Sequence, residues 1–319
     1  MSSSPSSSVS AAWLRRVAAE LGLPEGTPRP LTDAGGVNVV VVVGTGADRW
    51  VIRAPKDLRS ADVFAAEQWS ARQARSLGIA TPAVTHVGTL DDRPFSAQRF
   101  VAGTPALDAP HRHDELWTTL GEYCLRIGRI QPAEGAPDVL FSRFGADLPT
   151  AWTAHLDYNL DQLDADDRLL RIGALSTAEQ RQVADRIEVL RALPPRFGLS
   201  HGDLALRNLM LPDPSLAGDA APTLIDWGSA AFGPVPWRDL YQVDRDRRRE
   251  GVTSWRQLGR FAEAAGVDLI AEWDTLVSYR LLQHVDLVRW ALDRRPDLVP
   301  DTMAQLREVL DDTSTPAPG

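Results

Sequence analysis

The feature that most constrains the fold of this chain is a change of pattern near residue 103. Before this point, β-branched runs at 37–43 and 49–54 are joined by "GTGAD", which predicts two strands in a hairpin. From Asp114 onward, apolar residues recur at helical spacing instead. The pattern therefore predicts a small, mostly antiparallel sheet followed by a larger helical region.

Within the first hundred residues the sequence predicts further strands and one helix. The helix covers 61–77, which is rich in helix-forming residues, and the additional strands cover 81–90 and 93–103. Later, short strands in "LSHGDLALRNLML" and "PTLIDWG" interrupt the helical region. After a first helix that includes Leu116 and Ile130, further helices are predicted near 152–171, 177–192, 254–265, 269–292 and 301–311.

These patterns divide the chain into four segments. The polar residues 1–10 and 312–319 are predicted to be disordered tails. Between them, residues 11–102 are predicted to form an N-terminal lobe, and residues 103–311 a C-terminal lobe. No run approaches the roughly 18 apolar residues that span a bilayer, and the first residues do not resemble a signal peptide. We therefore expect a cytoplasmic protein with no membrane partner.

Charge and cysteine content exclude several classes of protein. The formal net charge of -9 argues against a nucleic-acid partner, since phosphate binding depends on positive charge. The single cysteine, Cys124, excludes an internal disulfide framework and a zinc site built from cysteines. We expect Cys124 to be a small core residue on a helix. We also expect the protein to be a monomer or a homodimer.

Three polar residues surround the predicted short strands in an order that suggests chemistry. Asp203 and Asn208 precede one apolar strand, and Asp226 directly follows the next. In phosphoryl transfer, one Asp accepts the proton of the substrate hydroxyl, while an Asn and a second Asp hold magnesium on the nucleotide phosphates. Magnesium prefers such oxygen ligands. Each residue alone is compatible with an ordinary loop or turn, but their common order and spacing favour the catalytic interpretation.

The motifs "HGD", with Asn208 five residues after the Asp, and "IDWGSA" resemble the aminoglycoside phosphotransferase and choline kinase family, relatives of protein kinases. Protein kinases usually have Arg and Phe where this chain has Gly202 and Trp227, and the small-molecule kinases are similar at both positions. The resemblance covers roughly residues 30–290 and is most specific over 200–240. It implies an α+β, protein-kinase-like bilobal fold, with a small antiparallel β N-lobe that binds nucleotide and a large, mainly helical C-lobe for catalysis and substrate.

The family template also implies supporting roles near these motifs. Asp203 would be the catalytic base, with Asn208 and Asp226 as the metal ligands. His201 would brace the catalytic loop through hydrogen bonds, and Asp239, in "GPVPWRDL", would be a structural carboxylate for the same loops. A further residue, Arg207, could neutralise phosphate charge or lie on the surface.

The N-terminal region offers candidates for the nucleotide phosphates. Gly35, Gly36 and Asn38 resemble the shortened glycine loop of antibiotic kinases, in which the backbone can approach phosphate closely. A plain hairpin turn remains the alternative for this stretch.

The next strand offers a cation. Strand alternation places Val51 and Arg53 on one face, as the template requires for a small residue under adenine and a phosphate-binding cation. Most family members use lysine there, but Lys56 is the only lysine of this chain and is predicted to lie beyond the strand. Glu67, in the middle of the predicted helix, is the expected partner of Arg53, or else a solvated helix residue.

The segment "FSAQRFVAG" resembles the linker between the lobes of this family. The resemblance implies that backbone groups of Arg99, Phe100 and Val101 bind the adenine edge.

The resemblance implies a magnesium-dependent O-phosphotransferase that moves the γ-phosphate of ATP or GTP to a hydroxyl of a small molecule. An antibiotic, such as an aminoglycoside or a macrolide, is the expected acceptor. A metabolite kinase for a choline-like amine or a sugar, a catalytically inactive kinase-like binding protein, and a protein kinase remain alternatives. Carboxylates in the helical region could bind a cationic amino-sugar or simply form helix surface; they are Glu263, Asp268, Glu272, Asp274 and Asp286.

Overall fold

The computed structural model describes residues 9–24, 26–31, 38–56, 63–193, 195–213, 221–249, 251 and 253–312. In chain order its helices and strands are α1 (Ala11–Glu20), β1 (Arg29–Pro30), β2 (Asn38–Thr45), β3 (Asp48–Pro55), α2 (Val63–Ser76), β4 (Val84–Leu90), β5 (Arg93–Arg99), β6 (Thr104–Pro105), α3 (His113–Ile127), α4 (Leu148–Asp161), α5 (Arg168–Arg171), α6 (Thr177–Ala192), β7 (Arg196–Ser200), β8 (Leu209–Leu211), β9 (Thr223–Leu224), β10 (Ala231–Val235), α7 (Trp237–Arg249), α8 (Trp255–Ala264), α9 (Trp273–Arg294) and α10 (Val299–Leu310).

The chain divides into two compact units. The first combines Met1–Pro110, Ala133–Leu140 and Leu206–Ala230. The second is formed by His111–Pro132, Phe141–Ala205 and Ala231–Gly319. No helix in the described part of the chain has both the length and the apolar character needed to cross a membrane.

The first unit is built on a five-stranded antiparallel sheet of order β1-β2-β3-β5-β4. The predicted hairpin is confirmed, since Thr45 pairs with Asp48 across a two-residue turn between β2 and β3. The predicted helix is confirmed over Val63–Ser76. A second, three-stranded antiparallel sheet of order β6-β8-β9 lies in the same unit.

The expectation of a single helix in the first hundred residues is wrong, because α1 forms as well. Its N-cap, Ser10, accepts a hydrogen bond of 3.1 Å from the Trp13 N–H. Trp13, Leu14 and Val17 are buried in a core shared with sheet residues such as Ile52. Their spacing places them on one helical face, a pattern typical of an amphipathic helix.

The second unit is mainly helical. Its core is formed by apolar residues of α4, α6, α9 and α10, such as Trp152, Ile187 and Val285. Helices α3 and α8 approach closely at Gly121, where an added Cβ would lie 2.4 Å from the Phe261 carbonyl oxygen. Strands β7 and β10 form an antiparallel pair in this unit.

Two helices differ from the sequence expectation. The helix predicted near 152–171 is interrupted, because the Asp167 side chain accepts the Leu169 N–H and starts the separate helix α5. Helix α7 was not predicted, since its sequence "WRDLYQVDRDRRR" is highly charged. The buried Asp244 of α7 pairs with Arg247 at 2.8 Å and with the fully buried Arg280 at 3.3 Å. Asp244 therefore has one partner in its own helix and one in α9, and only the second contact is tertiary.

Candidate active site

The loop that carries Asp203 begins where β7 ends and is held by Asp239. The two carboxylate oxygens of Asp239 accept the backbone N–H groups of His201 at 3.2 Å and Gly202 at 2.7 Å. Gly202 has φ +78°, a left-handed conformation that favours glycine. The Asp203 N–H in turn donates to Nδ1 of the buried His201 at 3.3 Å. These contacts are of the kind that the predicted bracing roles of His201 and Asp239 require.

Burial dominates the electrostatics around Asp239. It raises the pKa of the Asp239 carboxyl, although the hydrogen bonds from the backbone N–H groups of Gly202 and His201 oppose the shift. Cys124 lies on α3 with its Sγ 3.9 Å from Asp239 Oδ2, and burial raises the pKa of this thiol well above its ordinary value. The structure thus places Cys124 in the core of its unit, as the sequence predicts.

We expect Asp239→Ala to destabilise the protein strongly. The substitution removes the acceptor of two backbone N–H groups, and each buried donor left without a partner costs about 1–3 kcal/mol. Denaturant unfolding should show this loss of free energy, whereas Glu308→Ala, at an exposed position of α10, should change it little. Equal stability of both variants would contradict the bracing role.

Asn208 and Asp226 lie at the same end of a hairpin in the first unit. Strand β8 pairs with β9 through Leu209 and Leu224, and the Ile225 N–H donates to the Asn208 carbonyl at 2.8 Å. Asp226 follows with φ 63° and ψ 66°, a left-handed conformation that is uncommon for residues other than glycine. Such strain is typical of functional positions.

This hairpin end supplies suitable chemistry for a magnesium ion. The Asp226 side chain is half exposed, at 50%, and offers carboxylate oxygens. The side chain of Asn208 offers an amide oxygen, so both residues bring the oxygen donors that magnesium prefers. The donor set therefore fits the metal that the sequence analysis expects.

Arg53 of β3 and Glu67 of α2 form a buried ion pair. Nη1 of Arg53 donates to both carboxylate oxygens of Glu67, at 2.7 and 2.8 Å. Nη2 of the same guanidinium lies 3.6 Å from Asp226 Oδ1, so the cation joins the helix to the hairpin end. Gly228 makes this approach possible, because a Cβ there would lie 3.2 Å from Glu67 Oε1.

The charges of this cluster stabilise the guanidinium. Burial lowers the pKa of Arg53, but the carboxylates of Glu67 and Asp226 outweigh it and leave the pKa raised. Burial raises the pKa of Glu67, which Arg53 opposes. The two short hydrogen bonds favour the ionised pair, so Glu67 fixes the guanidinium of Arg53 beside the half-exposed carboxylate of Asp226.

Strand alternation positions this cation as the sequence predicts. Trp50, Ile52 and Ala54 are buried in the core of the first unit. Val51 and Arg53 therefore lie on the opposite face of β3. Lys56 is an exposed residue directly after the end of the strand.

The other predicted nucleotide-binding residues have different outcomes. Gly35 and Gly36 lie outside the described residues, and Asn38 is the first residue of β2. In the linker, the Phe100 N–H donates to the Arg49 carbonyl at 3.0 Å, so contacts with adenine would fall to the backbone of its neighbours, Arg99 and Val101. The Arg99 side chain lies over the Trp50 ring and pairs with Asp48.

Several carboxylates considered for an amino-sugar have protein partners. Asp286 accepts Asn159 Nδ2 at 3.0 Å and pairs with His155 at 2.7 Å. Asp274 pairs with Arg186, and Asp268 accepts the Ile270 N–H at 3.1 Å. Arg207 is half-buried in a short helical turn over Leu206–Asn208.

One residue near Asp203 was missed by the sequence analysis. Gln242 of α7 is buried, and its Nε2 donates to Asp203 Oδ1 at 3.3 Å and to Asp246 Oδ1 at 3.2 Å. It lies three residues after Asp239, on the helix that was not predicted. A polar residue close to the expected loop carboxylate was the signal that could have identified it.

The model of the phosphotransferase enzyme family matches residues 31–276. Because this match covers most of the chain, the protein belongs to the phosphotransferase enzyme family. The predicted family and the predicted enzyme class, a phosphotransferase acting on an alcohol group, are therefore confirmed. No curated protein matches the chain in sequence.

Solved structures are similar across nearly the whole chain. The complex of APH(2")-IIia with GDP and kanamycin has a TM-score of 0.67 at 16% identity, and covers 96% of this chain and 100% of its own. Spectinomycin phosphotransferase APH(9)-Ia, with ADP and spectinomycin, has a TM-score of 0.57 at 14% identity, with 95% of each chain covered. A thermostable mutant of aminoglycoside phosphotransferase APH(4)-Ia, with ADP and hygromycin B, has a TM-score of 0.60 at 17% identity, covering 94% of this chain and 98% of its own. These likenesses confirm the predicted α+β, protein-kinase-like fold class.

Proposed function

We propose that this protein transfers the γ-phosphate of ATP or GTP to a hydroxyl of a small antibiotic molecule. The observation that carries the proposal is the buried Arg53–Glu67 pair, which holds a guanidinium 3.6 Å from Asp226. A fixed cation beside a half-exposed carboxylate suits the phosphates of a magnesium nucleotide. The guanidinium and a metal held by the carboxylate would together neutralise the negative charge of the phosphates. Arg53 would bind phosphate oxygens, and Glu67 would keep the guanidinium of Arg53 in its orientation.

The reaction follows from the role proposed for Asp203. Its carboxylate accepts the proton of the acceptor hydroxyl, and the oxygen attacks the γ-phosphorus. The bond between the γ-phosphorus and the bridging oxygen breaks, and the nucleoside diphosphate leaves with that bond's electron pair. Magnesium, bound by oxygens of Asn208 and Asp226, would supply positive charge to the phosphates. His201 and Asp239 hold the backbone from which Asp203 acts.

The nature of the acceptor is proposed from the relatives. The solved complexes contain kanamycin, spectinomycin and hygromycin B, which supports an antibiotic acceptor. GDP and ADP both occur among them, so either purine nucleotide is a candidate donor. We further propose that the enzyme acts in the cytoplasm as a monomer or homodimer, with no nucleic-acid or membrane partner, in keeping with its net charge of -9.

Antibiotic susceptibility tests this proposal in cells. The chain and its Asp203→Asn variant are expressed at equal levels in a susceptible bacterium, which is exposed to aminoglycosides, macrolides and spectinomycin. We expect the wild-type chain, but not the variant, to raise the inhibitory concentration of at least one compound. Unchanged susceptibility to all of them, with phosphorylation of a choline-like amine or a sugar, would favour a metabolite kinase instead.

Substitution of Arg53 tests the unusual phosphate ligand. Arg53→Ala should raise the KM for nucleotide and slow transfer by roughly 10- to 100-fold, because it removes hydrogen bonds between charged groups, whose loss has an effect of this size. Arg53→Lys should retain partial function, because the charge survives while the fork geometry is lost. Lys56→Ala is the matched control and should have little effect. Kinetics are compared at equal folded fraction, since Arg53→Ala leaves Glu67 buried without its cation, and a greater effect of Lys56→Ala would contradict the assignment.

A further inference from the structure

A single side-chain nitrogen joins Asp203 to a buried carboxylate of α7. Nε2 of Gln242 lies 3.3 Å from Asp203 Oδ1 and 3.2 Å from Asp246 Oδ1. An amide nitrogen carries two hydrogens, so one is directed to each carboxylate. Both neighbouring atoms are acceptors when ionised, which requires that the nitrogen, and not the amide oxygen, faces them.

The surroundings of Gln242 leave its side chain little freedom. Gln242 is 4% exposed and Asp246 only 1%, and the two occupy positions i and i+4 on one face of α7. The same helix carries Asp239, which accepts the backbone N–H groups of His201 and Gly202. Helix α7 therefore makes two kinds of contact with the loop. Asp239 binds the loop backbone, and Gln242 contacts the Asp203 side chain.

We propose that Gln242 is a positioning residue that holds the Asp203 carboxylate in one orientation for proton abstraction. This inference rests on the proposed function, in which Asp203 is the base. A hydrogen bond to Oδ1 restricts rotation of the carboxylate, so that the acceptor hydroxyl meets the same oxygen in each turnover. Asp246 anchors the amide in turn, because its carboxylate engages the second hydrogen of Nε2.

The chemistry of the site favours glutamine at position 242. A leucine of similar size would offer no donor to either carboxylate. A glutamate would place a third carboxylate beside Asp203 and Asp246, where like charges repel. Asparagine, which is shorter by one methylene, would retract the amide from Asp203.

Kinetics of Gln242→Leu test the inference. Loss of a hydrogen bond to a charged group predicts a fall in kcat of about tenfold or more, with the KM for nucleotide little changed. The matched control is Gln180→Leu, which removes another buried glutamine whose Nε2 donates to the Asp164 carbonyl at 2.7 Å. A merely structural role would affect stability in both variants without lowering kcat specifically at position 242.

A double-mutant cycle separates this inference from the proposed function. If Gln242 acts through Asp203, then adding Gln242→Leu to Asp203→Ala should not lower the residual rate further. Loss of activity in Asp203→Ala, with full kcat in Gln242→Leu, would overturn the positioning role alone. Full activity of Asp203→Ala would overturn the base assignment itself.

Two other variants test the inference if Gln242→Leu fails to fold. Gln242→Met keeps an unbranched side chain without a donor and should reproduce the fall in kcat. Gln242→Glu keeps the length and should lower kcat at least as much, through repulsion. Wild-type kcat in both would overturn the proposal.

Discussion

Replacing Asp203 by alanine is expected to lower kcat by a factor of about 10² to 10⁴, with little change in nucleotide binding. This range is typical for the removal of a general base, whose contribution is made in the transition state and not in the bound ground state. The hydrogen bond from the Asp203 backbone N–H to His201 can persist in the variant. The fall in kcat therefore measures the contribution of the carboxylate. Steady-state kinetics with both ATP and GTP measure it.

Two further variants define the result for Asp203. Asp203→Asn keeps the shape and removes the basic oxygen, so its rate should fall in the same way. Asp161→Ala, at an exposed position of α4, is the control and should keep wild-type kcat. If Asp203→Ala keeps more than about half of the wild-type rate, Asp203 is not the catalytic base.

Loss of the Asp226 carboxylate is expected to abolish both transfer and magnesium-dependent nucleotide binding. The substitution removes an ionised oxygen ligand for the metal, and also one of the two carboxylates beside Arg53. Asparagine is the sharper replacement, because it tolerates the left-handed backbone at φ 63° better than alanine does. Calorimetric titration of nucleotide with and without magnesium, together with transfer assays, measures both losses.

The chain offers a matched control for Asp226→Asn. Asp92, an exposed turn residue between β4 and β5, has φ 58°. Asp92→Asn makes the same chemical change in a similar backbone conformation and should leave activity unchanged. Full activity of Asp226→Asn, or of the wild type in excess EDTA, would exclude the proposed metal site.

Local sequence patterns predicted the elements that carry the candidate site in the first unit. The alternation of β3 placed Arg53 opposite the core residues, and helix α2 carries Glu67 to within 2.7 Å of it. The order of Asn208 and "IDWG" likewise placed two oxygen donors at one end of a hairpin. The elements depend on neighbours in the sequence, so periodicity and motif order predicted them, whereas the pairing of Arg53 with Glu67 was expected from the family resemblance.

Helix α7 and the role of Gln242 could not be predicted in this way. The helix carries buried charges whose partners come from distant parts of the chain, such as Asp244 with Arg280. Similarly, the pairing of Asp286 with His155 depends on how α9 packs in its unit. Such charges have the same sequence pattern as a solvated helix surface, and only the tertiary structure distinguishes the two.

Transfer of labelled γ-phosphate is the decisive test of the proposed reaction. The wild-type protein and Asp203→Asn are incubated with magnesium, γ-labelled ATP or GTP, and a panel of antibiotics and hydroxylated metabolites, and products are identified by mass. We expect the wild-type protein to place one phosphate on a hydroxyl of at least one antibiotic, and Asp203→Asn to form little of this product. A wild-type protein that is folded and binds nucleotide, but labels no compound with either donor, would contradict the proposed reaction.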